Sequence, residues 1–331
     1  MSTPNEPRRL LAGDVGGTKT LLGLFETTPA RPRPVVIRTF VTLEFADLPS
    51  MIDRFLEDSY GRGAGILAAC FGVAGPVLGG TASLTNVPWK VEADAISARF
   101  AVPHVRLLND LESLAYAVPA LQLAELHELQ AGNRRPDGNV AVIAAGTGLG
   151  EALLHRFGDR FVPAASEGGH ADFAARTERE IALLRALTKR FGRVEVERVV
   201  SGPGLVNIFR VVHQGTCAAG VDPDASEAPA EISVAAVDHR CPACVEALDL
   251  FVEAYGAEAG NLALRSVATG GVYVGGGIAP KILTALSNGG FMRAFRAKAP
   301  LESLLAGIPV NVILNPQAGL LGAAVFASHT T

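Results

Sequence analysis

Several short segments carry residue types that could do chemistry together. The first is Gly13-Asp14-Val15-Gly16-Gly17-Thr18-Lys19-Thr20. An apolar run delivers an aspartate, then two glycines and a threonine. Glycine leaves backbone N–H groups uncovered, so a phosphate can rest against them, and the Thr18 hydroxyl adds a donor. Asp14 carries the wrong charge to touch a phosphate but suits a hydrated Mg²⁺. A plain hairpin turn with a solvated aspartate would use the same residues. Gly146-Thr147-Gly148-Leu149-Gly150 again follows an apolar run. Gly275-Gly276-Gly277 follows a third, where the flat face of an adenine could lie on bare backbone or a strand could simply turn into a helix. Neither of the first two loops is a Walker motif, because no Gly-Lys-Ser/Thr follows at the required spacing. No G-x-G-x-x-G dinucleotide fingerprint occurs either.

The remaining candidates are carboxylates, an imidazole and thiols. Asn109-Asp110 stands where a short apolar strand ends and a helix begins, the ligand-facing edge of an α/β sheet. Aspartate is also a favoured helix N-cap, so Asp110 has a structural reading of equal standing. A helix N-terminus favours the ionised carboxylate. In phosphoryl transfer, positioning the nucleophile matters more than strong proton abstraction. In Glu167-Gly168-Gly169-His170, two glycines leave a carboxylate and an imidazole free to aim at one small polar ligand, such as a sugar. A metal there would need more ligands, and H-E-x-x-H is absent. Glu197, just before Ser201-Gly202-Pro203-Gly204, is a third carboxylate for that site or a surface charge. Cys241-Pro242-Ala243-Cys244 is half a zinc site, which Cys217 and His239 could complete only at irregular spacing; unpaired thiols are the plainer expectation.

These segments need rigid elements behind them. Residues 10–15 and 20–26 read as strands joined by a tight turn, and residues 139–145 and 151–155 repeat that hairpin loosely. Residues 66–73 form an unbroken apolar run, a buried strand. Residues 105–108, 272–277 and 310–314 read as further strands. Helical spacing marks residues 48–56, 177–190, 244–267 and 318–327. After Asp110, the residues Leu111, Leu114, Ala115 and Val118 fall on one helical face. Residues 30–34 read as a Pro/Arg connection, residues 215–236 as an irregular surface excursion, and the first nine residues as frayed. Strands alternate with helices, so the class is α/β.

The chain has 331 residues, of which 49% are hydrophobic, enough for two cores. Its net charge of −4 includes no basic stripe, which argues against a nucleic-acid partner. No apolar run approaches the roughly 20 residues that span a bilayer. Four cysteines in a chain of this length make no disulfide framework, so a cytoplasmic protein is expected.

Taken in order, the segments resemble those of bacterial glucokinases in the hexokinase/actin-like ATPase superfamily, over nearly the whole chain. LAGDVGGTKT looks like that family's first phosphate loop, FGVAGPVLGG and LTNVPW its connecting and sugar-side segments, and LLNDLESLAYA its catalytic segment. AAGTGLG looks like the second phosphate loop, SEGGHADFA and ERVVSGPGL the sugar-binding segments, and GGVYVGGGIAPK the nucleotide-side glycine motif. No cysteine lies near His170 in sequence, which sets the chain apart from the related kinases with a cysteine-rich zinc motif and with the zinc-free glucokinase group. An acidic neighbour of the second loop, Glu151, is a mild departure.

The resemblance implies a two-lobed actin-like ATPase (ribonuclease H-like) fold with an interlobe cleft. Residues 1–112 and a returning helix at 318–331 would form a small lobe, and residues 113–317 a large one. It implies ATP-dependent phosphorylation of D-glucose with Mg²⁺, and Asp110 as general base. Asn86, Asn109, Asp110, Glu167, His170 and Glu197 would hold the sugar. Gly13, Asp14, Val15, Gly16, Gly17, Thr18, Gly146, Thr147, Gly148, Gly276 and Gly277 would hold ATP, with Asp14 reaching Mg²⁺ through water. A homodimer is expected on the same ground. A kinase of another hexose or amino sugar would keep this machinery. A non-catalytic sugar sensor would also keep the fold, although no helix-turn-helix precedes Leu10.

Overall fold

The computed structural model describes residues 9–28, 31–59, 65–84, 87–158, 160–213, 215 and 217–330. The expected fraying at residues 1–8 and the candidate Asn86 lie outside them. Contacts divide the chain into two compact units: Met1–Gln122 with Asn315–Thr331, and Leu123–Leu314. The helix that begins at Asp110, which a boundary at residue 112 would cut, stays whole in the first unit.

The first unit is built on five strands in the order β3-β2-β1-β4-β8. They are β1 (Arg9–Val15), β2 (Lys19–Glu26), β3 (Arg33–Val41), β4 (Ile66–Val73) and β8 (His104–Asn109). β1, β2 and β3 pair antiparallel, whereas β1, β4 and β8 run parallel. β5 (Val77–Leu78), β6 (Thr81–Ser83) and β7 (Lys90–Glu92) form a small separate sheet. One layer behind the main sheet includes α1 (Leu48–Ser59), whose buried Leu48, Met51, Ile52, Phe55 and Leu56 recur at helical spacing, and α2 (Ala93–Phe100). The other includes α3 (Asp110–Ala117) and α11 (Ala318–Ser328). The buried residues of α3 are Ser113, Ala115 and Ala117, while Leu111 and Leu114 are only half-buried. The expected leucine face gives way to small residues because α11 comes so near. A Cβ on Gly322 would lie 1.6 Å from the Ser113 carbonyl oxygen, and Ser113 Oγ donates to the Gly319 carbonyl at 2.8 Å.

The second unit repeats that strand plan. Its sheet runs β12-β11-β10-β13-β14-β9, from β9 (Leu126–Gln130), β10 (Val140–Ala145), β11 (Leu149–Phe157), β12 (Arg160–Ser166), β13 (Gly271–Gly275) and β14 (Val310–Ile313). Again three strands pair antiparallel and the first of them runs parallel to the next two, with β9 added antiparallel at the edge. The loose hairpin repeat in the sequence is therefore one part of a repeated five-strand plan.

Helices α4 (Glu178–Phe191), α5 (Gly202–Val212), α6 (Ala228–Val237), α7 (Pro242–Ser266), α8 (Leu283–Ser287), α9 (Gly290–Arg296) and α10 (Glu302–Gly307) complete the second unit. α4 starts on a full capping box, Thr177 with Glu180. α7 contributes to the core along its length, and α9 packs on it at Gly256 and Gly260. The expected excursion over residues 215–236 is corrected: α6 lies within it, and Ala228, Ile232, Ala235 and Ala236 are core residues. Alanines on one face of a short helix bury without the large apolar residues that would have marked it. Among the described residues, no helix is long and apolar enough to cross a membrane.

Candidate active site

In the first unit, the loop after β1 and the start of α3 share one sheet edge. Val15 pairs with Val73, and Val73 with Asn109, so the carboxyl ends of three parallel strands stand level. Ligands of α/β sheets bind at this edge. Asp14 is two strands from Asp110, about 10 Å by ordinary strand spacing. Burial pushes the Asp14 carboxyl up, repulsion from Asp110 adds to it, and Lys19 offsets part, leaving its pKa at about 6. The edge therefore carries two carboxylates that sense each other.

The β1–β2 turn is held from outside itself. Gly16 N–H donates to the Lys19 carbonyl at 3.1 Å. Thr42, fully buried, donates through N–H to the Thr18 carbonyl at 3.0 Å and through Oγ1 to the Gly16 carbonyl at 2.8 Å. Thr42 is a positioning residue that no motif around it announced. Thr18 is exposed, and Gly16 and Gly17 are half-exposed. Gly13 and Val15 are buried strand residues instead. A Cβ on Gly13 would sit 2.4 Å from Phe71 Cδ1, so packing alone accounts for that glycine.

The cap of α3 is Asn109, whose Oδ1 accepts from Leu111 N–H at 2.9 Å, while its Nδ2 donates to the Gly75 carbonyl at 3.3 Å. Asp110 follows as the first helical residue, with Oδ1 2.9 Å from the same Leu111 nitrogen. The N-cap that the sequence offered to Asp110 thus belongs to its neighbour.

In the second unit, three glycine segments meet at the carboxyl ends of β10 and β13. Gly146 N–H donates to the Gly148 carbonyl at 2.8 Å, and Gly202 N–H, at the start of α5, donates to the Gly146 carbonyl at 2.8 Å. Gly276 takes φ +82° and lies against Ala145, where a Cβ would be 2.3 Å from the carbonyl oxygen. Gly146 and Gly277 face open space, and Thr147 is exposed. Tyr255, fully buried on α7, sits beneath this edge. Ala145 N–H donates to its hydroxyl at 3.1 Å, and the Ile143 and Gly275 carbonyls lie 3.3 and 3.4 Å from it. It ties the strand that enters one glycine loop to the strand that enters the other. A tyrosine in a long apolar helix gave no sign of this in sequence.

The carboxylates and the imidazole gather beside the same loop. Glu197 Oε2 accepts from Leu149 N–H at 2.8 Å, and a Cβ on Gly148 would fall 2.5 Å from that oxygen. Gly169 approaches the Leu149 carbonyl so closely that a Cβ would stand 2.1 Å away. The Glu167–His170 turn, Glu197 and the Gly146–Gly148 loop are thus one assembly. Glu167 is 81% exposed and His170 51%, with Glu167 Oε2 4.0 Å from Nε2. Nδ1 of His170 lies 3.2 Å from Glu195 Oε2, a partner that sequence reasoning missed although Glu195 is only two residues from Glu197. A carboxylate only accepts, so Nδ1 carries the proton, and in the neutral ring Nε2 is left as an acceptor for a ligand hydroxyl. Arg198 at 3.3 Å holds Glu195 in turn.

Glu151, the acidic neighbour of the second loop, turns inward. It is 1% exposed, and a Cβ on Gly168 would lie 2.0 Å from its Oε2. Burial raises its pKa, the Glu258 carboxylate raises it further, and Arg265 opposes them. Arg265 Nη1 stands 3.7 Å from its Oε2.

The family model for glucokinases matches residues 11–330. The glucokinase of Nostoc punctiforme is 40% identical over 97% of this chain and 99% of its own length. The crystal structure of a glucokinase from an Antarctic psychrotroph is 28% identical, covers 98% of this chain and 99% of its own, and superposes with a TM-score of 0.84. A more distant glucokinase of the ROK family, from Streptomyces griseus and solved with glucose and AMPPNP, is 22% identical, covers 97% of this chain and 99% of its own, and shares the fold at a TM-score of 0.63. The repeated five-strand plan is that of the actin-like ATPases. By the match of nearly all its residues and the identity it keeps over that length, the chain belongs to the glucokinase family.

Proposed function

We propose that the chain transfers the terminal phosphoryl group of ATP to the 6-hydroxyl of D-glucose, giving ADP and glucose 6-phosphate. The observation that carries this reading is the pair Asp14 and Asp110 on one sheet edge, where the Asp110 charge helps to raise the Asp14 pKa. Two carboxylates with one lysine opposing them are an oxygen donor set that suits a hydrated divalent cation. Mg²⁺, when bound there with the nucleotide, would offset phosphate charge, with Asp14 as its ligand through water.

Asp110 accepts the proton of the attacking hydroxyl and aims that hydroxyl at the phosphorus. It is the first residue of α3, where a helix N-terminus favours negative charge. Loose phosphoryl transfer asks for this positioning more than for basicity. The exposed turn of Gly16, Gly17 and Thr18 serves the phosphates, as does that of Gly146, Thr147 and Gly148. Gly276 and Gly277 leave backbone open for the nucleobase. Asn109, Glu167, His170 and Glu197 orient the ring through hydrogen bonds that a deoxy sugar would leave unpaired, and Asn86 joins them by resemblance. The reaction takes place in the cytoplasm, where ATP is at hand. The Streptomyces griseus relative was solved in complex with glucose and AMPPNP, which supports both ligands.

The test is ATP turnover with and without sugar, followed by coupled ADP detection over a panel of hexoses and amino sugars. ADP release that depends on glucose, with glucose giving the highest kcat/KM, is the expected result. Turnover indifferent to glucose, or another sugar ahead of it, would reject the assignment.

A further inference from the structure

Three of the four cysteines, far apart in sequence, meet inside the second unit. Cys241 is the N-cap of α7 and Cys244 lies in that helix's first turn, while Cys217 comes from the segment before α6. Their exposures are 8% for Cys217, 2% for Cys241 and 0% for Cys244. Cys217 Sγ lies 3.5 Å from Cys241 Sγ and 4.0 Å from Cys244 Sγ, and all three sulfurs fall within 4.8 Å of one another. A tetrahedral zinc with Zn–S bonds of about 2.3 Å sets its sulfurs about 3.8 Å apart. The trio therefore already stands near the geometry of one face of such a site. His239, which the sequence offered as a ligand, is exposed and is not among the donor atoms gathered there, whereas Cys217 is.

We propose that Cys217, Cys241 and Cys244 bind one zinc-class ion as thiolates, a site separate from the sugar and nucleotide residues. Cys241-x-x-Cys244 supplies two ligands from one helix end, and Cys217 supplies the third from a different segment. The site would thus staple the segment before α6 to the start of α7. The fourth position is left to water or a small ligand. Binding forms three metal–sulfur bonds and releases each remaining thiol proton to water, with no change of oxidation state. A cluster of three buried thiols with no ion has no comparable gain: it buries weak donors among apolar neighbours and places three oxidisable sulfurs side by side.

The inference stands apart from the kinase reading, because ion binding is measured without turnover. Tag-free full-length protein is stripped with a chelator under reducing conditions, then titrated with Zn²⁺ and, as a spectroscopic probe, with Co²⁺. The expected result is one ion per chain, a thiolate-to-cobalt charge-transfer band in the near ultraviolet, and protection of three thiols against alkylation while Cys70 is unaffected by the ion. About two to three protons should be released per ion. Cys217→Ser, Cys241→Ser and Cys244→Ser should each weaken binding by at least about 100-fold. Should a serine variant fail to fold, the wild-type cobalt spectrum and alkylation pattern decide alone. Four thiols that react equally with and without zinc would overturn the proposal. So would affinity retained in folded Cys241→Ser and Cys244→Ser, or a protein that comes from gentle purification two hydrogens lighter with an internal disulfide.

Discussion

The two units share a strand plan but not an active edge. Val15↔Thr20 is the last pair before the turn in the first hairpin, and Ala145↔Leu149 in the second. One residue back, the first unit carries Asp14 and the second Ala144. The first edge then adds Asp110 at the third parallel strand, while the second adds the exposed glycines 276 and 277 after its middle one. At that matched position one copy of the plan offers a carboxylate and the other an alanine. On the proposed function, the first unit would add to its glycine turn the carboxylates that hold a cation and receive a proton, and the second would add amides that lie against a nucleotide without adding negative charge. The carboxylates of the second unit, Glu167, Glu195 and Glu197, stand beside its glycine loop in a separate turn and hold a histidine or a backbone amide.

If the charged edge does the chemistry, its loss has the largest effect. Asp110→Ala is expected to lower kcat at least about 10³-fold, from the combined loss of a base and of nucleophile positioning. Glucose affinity, measured by equilibrium binding, should stay within a few-fold, because the sugar keeps its other partners. Near-normal turnover would remove Asp110 from the reaction and with it the division of labour between the units. Asp14→Asn comes next, with a fall in kcat of about 10²-fold from the lost cation ligand. The same substitution should stabilise the fold. The Asp14 carboxyl has its folded pKa raised from 3.8 to about 6, so the stability linked to its protonated form is complete below pH 3.8 and lost as pH rises through 6. Relative to wild type, the asparagine variant should therefore gain as pH rises from 4 to 7, by at most about 3 kcal/mol. Calorimetric Tm values across that range check it. A difference that is flat with pH would mean that Asp14 is not strained by its surroundings.

The parts of this edge that sequence disclosed are those in which a residue type has few uses. Strand 66–73 was legible to the residue because its apolar run is unbroken and ends on glycine and proline. The start of α4 was legible to within a residue from its helical spacing, and the Thr177 capping box in the structure accounts for it. β3 was not, for it is a sheet-edge strand with Pro34 near its start and no buried position along it, so no alternation marks it. α6 hid behind a polar, proline-containing flank. In the site, motif residues stood out, but Thr42, Glu195 and Tyr255 did not. Each acts by touching a loop or ring distant in sequence, and nothing local to a threonine, glutamate or tyrosine reports such a contact. The cysteine trio is the same case: Cys241 and Cys244 were visible as a pair, and only folding brings Cys217 to them.

The uncovered-backbone edge can be probed by adding a single methyl group. A Cβ at Gly146 meets nothing within 4 Å. Gly146→Ala should leave stability within about 0.5 kcal/mol of wild type. If a phosphate rests on that backbone, the ATP KM rises about 10-fold, equivalent to about 1.4 kcal/mol, and the glucose KM does not move. Gly148→Ala differs, because its Cβ would fall 2.5 Å from Glu197 Oε2 and displace the carboxylate from Leu149 N–H. That variant should weaken both substrates. Identical kinetic profiles for the two alanines would dissolve the distinction between an open glycine and a packed one.

The smallest effect tests whether the glycine edge is held from beneath. Tyr255→Phe keeps the ring, which packs edge-on to Phe251 and Phe291, and removes only the hydroxyl that accepts from Ala145 N–H. A buried amide left without a partner costs about 1–3 kcal/mol, so Tm should fall. Loss of stability alone would fit any buried tyrosine. The discriminating readout is kinetic: Ala145 leads straight into Gly146, and Gly275 into Gly276, so losing the tie between them should raise the ATP KM about threefold while the glucose KM stays put. A fall in Tm with both KM values unchanged would make the hydroxyl a brace for the core and not for the loops. Equal rises in both would mean that the glycine edge and the Glu167–His170 turn, proposed to bind the sugar, move as one body, joined through Leu149.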